Sequence, residues 1–425
     1  MRRWCLRLIS ALAVGIAVAA LVFWLLVVWP LRSSHPPLRL GSGTLAIVHA
    51  RIYTSPADPV IPDGTIVIQN GRISAVGPAV AVPAGATILP CDHCVVTAGF
   101  WNAHVHFTES KWAMANWIPA AKLNAQLADM LTSRGFTTVV DTGSNPIDTI
   151  PLRRRIESGE LAGPLIYTAG PALYPPHGIP FYIRESSPTW LQALMPQPAT
   201  PQAARDVVAA NIKRGSDITK LFTGSWIERG KVLPMPLDVA KAAVDSTHLN
   251  GLLVFSHPSN LAGVQVAMQS GVDVLAHAPD DTEGIGPDLF ATIVHQRMAM
   301  IPTLKMFTTT VTSNPHYMDP IRAEVRQFHQ LGGQLIFGTD VGYMHDYTTE
   351  GEFTELGRSG LGPMDVLAML TTNPASRFGV SDRKGTVTVG KLADLTILDA
   401  DPEQELTNFS KVRMTIRSGK VIYQH

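Results

Sequence analysis

The sequence predicts a (β/α)8 TIM barrel carrying a small β-sandwich built from both ends of the chain, preceded by one N-terminal transmembrane helix. Three observations predict it. Short apolar or β-branched runs alternate with helical stretches through the middle of the chain. The two flanks read instead as successive short strands and turns. Residues 8–29 form an apolar run without a charged residue, led by Arg2, Arg3 and Arg7.

At ~1.5 Å per residue the run 8–29 would cover about 33 Å, enough for a ~30 Å hydrocarbon core. A cleaved signal peptide has a shorter apolar region, ~7–15 residues, and is the alternative. Trp24 and Trp29 suit a membrane interface. The expectation for residues 1–30 is a single-pass anchor in the cell (inner) membrane. The catalytic part would then lie outside the cytoplasm, on the periplasmic side in a Gram-negative cell. Residues 31–40, with Pro36 and Pro37, read as a stiff linker.

Residues 41–98 form the first part of the expected sandwich. Asn70-Gly71 between two alternating runs is a hairpin signal. Residues 384–425 have the same character and form the second part. Cys91 and Cys94 sit in C-D-H-C at a turn, where a disulfide, a zinc half-site with His93 or two free thiols all remain open. With 16% charged residues, a formal net charge of zero and no basic run, nothing suggests a nucleic-acid partner and none is expected. A small-molecule substrate and membrane contact through the N-terminal helix are expected, and a homo-oligomer is left open.

Residues 99–383 supply the barrel units, with strand runs at 96–105, 137–141, 165–169, 217–222, 252–256, 272–276, 299–303 and 334–338. In such barrels chemistry sits at the C-terminal ends of the strands. His104 and His106 are two apart on the first strand, so both rings point to one face. Lys220 lies on the fourth run, and His257, His277 and Asp340 follow the fifth, sixth and eighth. Each alone has an ordinary reading as a cap, turn or solvated residue. Six such residues at the ends of five strands make a metal site, and imidazole with carboxylate suits zinc.

Two motifs, GFWNAHVHF (99–107) and MLTTNPASRFGVSDRKGTVTVGKLADLTILDADP (369–402), resemble the amidohydrolase superfamily, in its imidazolonepropionase-like and prolidase-like branch. The resemblance covers about residues 45–425. Ala98 stands where a proline usually precedes the glycine, and Trp101-Asn102 where Ile-Asp is common. The resemblance implies a distorted barrel and two divalent ions, most simply zinc. His104, His106 and Asp340 would hold one ion and His257 and His277 the other. Lys220, carboxylated by CO2, would touch both. A metal-bridging hydroxide would attack the substrate, with Asp340 as general base. Were Lys220 to point elsewhere, the site would be mononuclear. His177, in Pro-Pro-His where Gly-Gly-His is usual, would contact substrate or the oxyanion. Arg184, Lys305 and Tyr343 or His345 are candidates for gripping a substrate carboxylate. The expected function is hydrolysis of an amide or peptide-like C–N bond, in a dipeptide or N-acyl amino acid. The alternatives are a cyclic amidase, deaminase or lactonase with a mononuclear site, or a binding protein that has lost catalysis.

Overall fold

The computed structural model describes residues 2–23, 40–91, 94–311, 314 and 316–425. Strands from both ends of the chain share one eight-stranded sheet. Thr44–Ile52, Ile61–Gln69, Arg72–Gly77, Thr87–Pro90 and Val95–Ala98 come from the first end. Leu395–Leu398, Val412–Arg417 and Lys420–Gln424 come from the other. The two sets meet where Val95–Ala98 pairs antiparallel with Leu395–Leu398, Leu395 opposite Ala98. Alternating Ile47, Ile66, Val96, Ile397 and Ile416 bury a core belonging to this sheet alone. Asn70 and Gly71 both take positive φ, 50° and 78°, as a two-residue hairpin with right-handed strand twist requires. A disulfide joins Cys91 to Cys94. His93, named as a companion ligand, lies outside the described residues.

The run 96–105 is not one strand. It breaks at Gly99, where a Cβ would lie 2.4 Å from Thr137 Oγ1. Val95–Ala98 stays in the end sheet and Phe100–Val105 becomes barrel strand one. Strands two and three, Phe136–Asp141 and Leu165–Thr168, pair parallel with it in order. Strands four to seven, Ile218–Phe222, Leu253–His257, Val274–Ala276 and Ala299–Ile301, form a second parallel arc. Leu173 bridges to Leu221 and joins the arcs.

Residues 334–341 close the ring, but not as a regular eighth strand. One bridge, Met300 to Leu335, marks the strand-seven side. On the strand-one side Ala103 N donates to Phe337 O at 2.8 Å and Asp340 N to His104 O at 2.9 Å. Gly338 explains the tight passage: a Cβ there would meet the Ile301 side chain at 2.4 Å and His104 Cβ at 2.8 Å. Ala103, Val140, Ala169, Ile218, Phe255, Ala276, Ile301 and Ile336, one from each strand position, pack together and fill the barrel.

The expected membrane anchor is overturned. Among the described residues no helix is long and apolar enough to cross a membrane. The N-terminal helix, Arg2–Phe23, spends its first turns on Arg2, Arg3 and Arg7. Its uncharged part within the described residues, 8–23, is shorter than the ~20 residues a spanning helix needs. The rest of the run, 24–29, and the linker residues 31–39 lie outside the described residues. The single-pass placement with the catalytic part beyond the cytoplasm falls with the spanning helix that was its premise.

Candidate metal centre

The strand ends converge. Asp340 Oδ1 lies 3.0 Å from His106 Nε2 and 3.3 Å from His104 Nε2. The His104 and His277 rings are 4.4 Å apart, and His277 and His257 4.6 Å apart. Ligand atoms of His104, His277 and Asp340 all fall within 4.8 Å of one another. Lys220 is 2% exposed and its Nζ donates to Ala276 O at 3.2 Å. All six sequence-derived ligands thus meet in one buried pocket at the C-terminal mouth of the barrel.

The electrostatics of the pocket are unusual. Burial, and then the neighbouring Lys220 charge, pushes His104 and His257 well below the ordinary imidazole range. Burial followed by His257 does the same to His277. These three rings are therefore neutral, the form that ligates a metal. Burial also pulls on His106, but the Asp340 carboxylate outweighs it and carries His106 upward. Burial lowers Lys220 to about 7, against the pull of Asp340, so its amine is substantially neutral at neutral pH. Asp340 Oδ1 is buried with no regular hydrogen bond, and its nearest polar neighbours are the His106 and His104 Nε2 atoms. His104 Nδ1 is likewise unpartnered. Buried polar atoms are normally satisfied. A divalent cation fits the gap: neutral imidazoles and a carboxylate point at one small volume.

Other residues hold the ligands from behind. His277 Nδ1 meets Thr303 Oγ1 at 2.6 Å, and that hydroxyl donates to Pro302 O at 2.8 Å. The hydroxyl therefore accepts from Nδ1–H and leaves Nε2 free for a metal. Thr303 adopts φ +49°, a strained value for a β-branched residue. His106 Nδ1 meets Gly143 O at 3.1 Å. The turn carrying Gly143 is held by buried Asp141, whose Oδ1 accepts from Gly143 N at 3.2 Å and Ser144 Oγ at 2.5 Å. Its Oδ2 accepts from Thr168 Oγ1 at 2.6 Å. Asn102 fastens strand one to the closing segment, donating to Thr339 Oγ1 at 2.6 Å and accepting from Thr339 N at 3.2 Å. Asp141 and Thr303 were not named from the sequence. They stand at the ends of strands two and seven, two of the three strands without an assigned ligand, so the same rule applied to those strands would have found them.

The substrate-side candidates are placed differently. His177 is exposed at φ +58° and lines a cavity of about 290 Å³ with Ile179, Arg184, Gln192, Ala193 and Gln197. Among the described residues no hydrogen bond or ion pair ties it to the ligands. Arg184 donates to Ile227 O at 2.5 Å. The Lys305 ammonium contacts Asp346 Oδ2 at 2.8 Å, Thr348 O at 2.7 Å and Thr348 Oγ1 at 2.9 Å, which occupies its three protons. Tyr343 is 41% exposed beside the mouth. His345 reaches Glu109 at 3.2 Å instead.

Residues 95–422 match the amidohydrolase family. The chain belongs to this family. Among its relatives is an uncharacterized protein of Mycobacterium tuberculosis, 30% identical over 261 residues, 57% of this chain and 59% of the relative. The amidohydrolase described here therefore spans about three fifths of that relative's length. An imidazolonepropionase of Thermoplasma acidophilum is 21% identical over 86% of this chain and 90% of its own. A protein of Bifidobacterium longum assigned as a prolidase is 25% identical, with a TM-score of 0.74 over 91% of this chain and 96% of the other.

Proposed function

We propose that this amidohydrolase is a metal-dependent enzyme that hydrolyses the C–N bond of a small amide or peptide-like substrate. The observation that carries the reading is Asp340 Oδ1, a buried carboxylate oxygen without a regular hydrogen bond, set beside His104 and His106 and close to His277. The division of labour would follow the chain: residues 99–383 hold the chemistry, while 41–98 and 384–425 form the supporting β unit.

A bound divalent ion, zinc being the simplest choice, supplies a Lewis acid that activates water and polarises the scissile carbonyl. His104, His106 and Asp340 would hold one ion, and His257 and His277 a second. The neutral Lys220 amine can add CO2 and lose a proton, giving a carbamate whose oxygens would reach both ions. A lysine held at about 7 supports that, since only the neutral amine reacts. Asp340 would take the proton of the attacking water and deliver it to the leaving nitrogen. His177 and Arg184, which share one cavity, are the residues best placed to receive the far end of a dipeptide or N-acyl amino acid.

A single-metal reading, with cyclic amide hydrolysis or deamination, has one observation in its favour. The tightest group, His104, His277 and Asp340, mixes ligands that the two-metal reading assigns to different ions. Metal content of the purified full chain separates the readings. Two ions per chain, falling to one or none in Lys220→Ala, support the bridged pair. One ion in both favours the single-metal site. No ion in either, with chelators avoided, favours a protein that binds without catalysis.

A further inference from the structure

The chemistry above leaves two tyrosines at the mouth unused. Tyr343 follows Asp340 by three residues on a turn with little freedom. Met344 N donates to Asp340 O at 3.0 Å, and His106 N donates to Val341 O at 2.7 Å. Thr108 Oγ1 donates to Gly342 O at 3.0 Å. Gly342 takes φ +97°, and a Cβ there would lie 1.9 Å from His106 O, so the turn is pressed onto strand one. Across from it stands Tyr182, on the short helix Phe181–Ser186 of the loop after strand three. The two rings are 5.7 Å apart at 60°, an edge-to-face pair.

Neither phenol hydroxyl has a hydrogen-bond partner among the described residues. Both sense the carboxylate beneath them. Burial, then Tyr343, Tyr174 and Asp340, raises Tyr182; burial and then Asp340 raises Tyr343. The wall below is aromatic too. Phe222 lies flat against His257 at 4.7 Å, and Tyr174 packs on Phe222 at 4.6 Å. Other nearby cations are engaged elsewhere: Lys305 on the 346–348 segment, Lys111 on Glu109, and Arg229 over the Phe181 ring.

We propose that Tyr182 and Tyr343 form an aromatic clamp that selects substrates with an aromatic or bulky apolar group next to the scissile carbonyl. This rests on the hydrolytic reading of the same site. A ring entering between the two tyrosines exchanges one edge-to-face contact for two. The backbone that carries Tyr343 is held, because its turn is hydrogen-bonded to strand one. A substrate with only a small group there leaves the tyrosines paired with each other and gains nothing from them.

The test uses two probes that chelate metal through the same group and differ only in the ring. Acetohydroxamic acid and phenylacetohydroxamic acid are titrated calorimetrically into the zinc-loaded full chain, as wild type, Tyr182→Ala, Tyr343→Ala and Tyr343→Phe. The clamp predicts about tenfold or more tighter binding of the phenyl probe to wild type. It predicts that most of this preference is lost in either alanine variant and kept in Tyr343→Phe, where the ring remains. Equal binding of the two probes by wild type, or a preference that survives both alanine substitutions, overturns the clamp and leaves the hydrolytic reading standing. If neither probe binds the zinc-loaded chain, the metal centre fails and the clamp fails with it. Acetohydroxamic acid affinity reports on the fold of each variant, since it should be unchanged throughout.

Discussion

Where the barrel meets the end sheet, Lys384 Nζ donates to Asp394 Oδ2 at 2.5 Å and to Thr138 Oγ1 at 3.2 Å, while Asp394 Oδ1 accepts from Ser418 N at 2.7 Å. At the mouth, Asp340 Oδ1 makes no regular hydrogen bond and Lys220 Nζ has a single carbonyl. Both regions bury a lysine and an aspartate, ten residues apart in sequence at the junction and 120 apart at the mouth. Burying a charge is expensive unless it is paired and hydrogen-bonded. At the junction the protein itself supplies the partners, so the charges fasten two layers together. At the mouth it withholds them, and the cost is met by neutralising three imidazoles and a lysine. A buried polar cluster that satisfies itself is a fastening; one that does not is prepared for something that arrives later.

The sharpest way to break this contrast is at Asp340. Asp340→Asn should slow hydrolysis about 10²–10⁴-fold, the usual contribution of a general base. The melting temperature of the metal-free chain should change little, because the asparagine keeps an Oδ1 acceptor beside the two imidazoles. A variant that hydrolyses at the wild-type rate would remove Asp340 from the chemistry. Next in size is Lys384→Met, which strands Asp394. Breaking a buried pair from one side costs about 3–5 kcal/mol, readable by urea unfolding. Metal content should not change, and a chain as stable as wild type would show the junction is not held by this pair.

A smaller effect should come from Asp141→Asn, which loosens the turn behind His106. Removing a group that orients a ligand usually costs about 10–100-fold in metal affinity. Competition against a chromophoric chelator measures it, and an unaltered zinc affinity would reduce Asp141 to a structural residue. The smallest effect concerns Glu324, 6% exposed, with neither oxygen hydrogen-bonded. Burial first, then Asp280 and Asp281, pushes its carboxyl up to about 9. The folded chain therefore keeps the proton while the unfolded chain has lost it. Stability from this group is complete below the ordinary glutamate range and declines as pH rises toward about 9. Glu324→Gln should flatten that decline and melt higher than wild type at pH 8. Parallel pH profiles for the two proteins would contradict the shift.

Much of the centre was legible because each ligand ends, or directly follows, an apolar run, and strand ends in a barrel share one mouth. The sequence reading therefore needed no contact information for His104, His257 or Asp340. What it lacked was any sign of pairing between residues far apart in the chain. Thr303 matters only because its hydroxyl meets His277, and Asp141 only through the turn at Gly143. Periodicity also hid the break at Gly99, since both halves of 96–105 are apolar and only the approach of Thr137 decides it. The closing segment 334–341 read as an ordinary strand, yet glycine at 338 lets it press on strand one without a regular ladder. The N-terminal run misled because its length was counted along the sequence, whereas the described helix leaves only 8–23 uncharged.

The pairing of Val95–Ala98 with Leu395–Leu398 also sets an order of events during synthesis. Strand one emerges early, but its neighbours on one side, residues 334–341, and the sheet partner of the segment before it come from the last quarter of the chain. At ~5–20 residues per second the ribosome needs on the order of tens of seconds to deliver them. Over that interval the first arc of the barrel presents an open edge, and His104 and His106 wait for Asp340. Closure of the ring and assembly of the proposed metal centre would therefore be the same late step, and a chain truncated before residue 340 should neither close nor retain an ion.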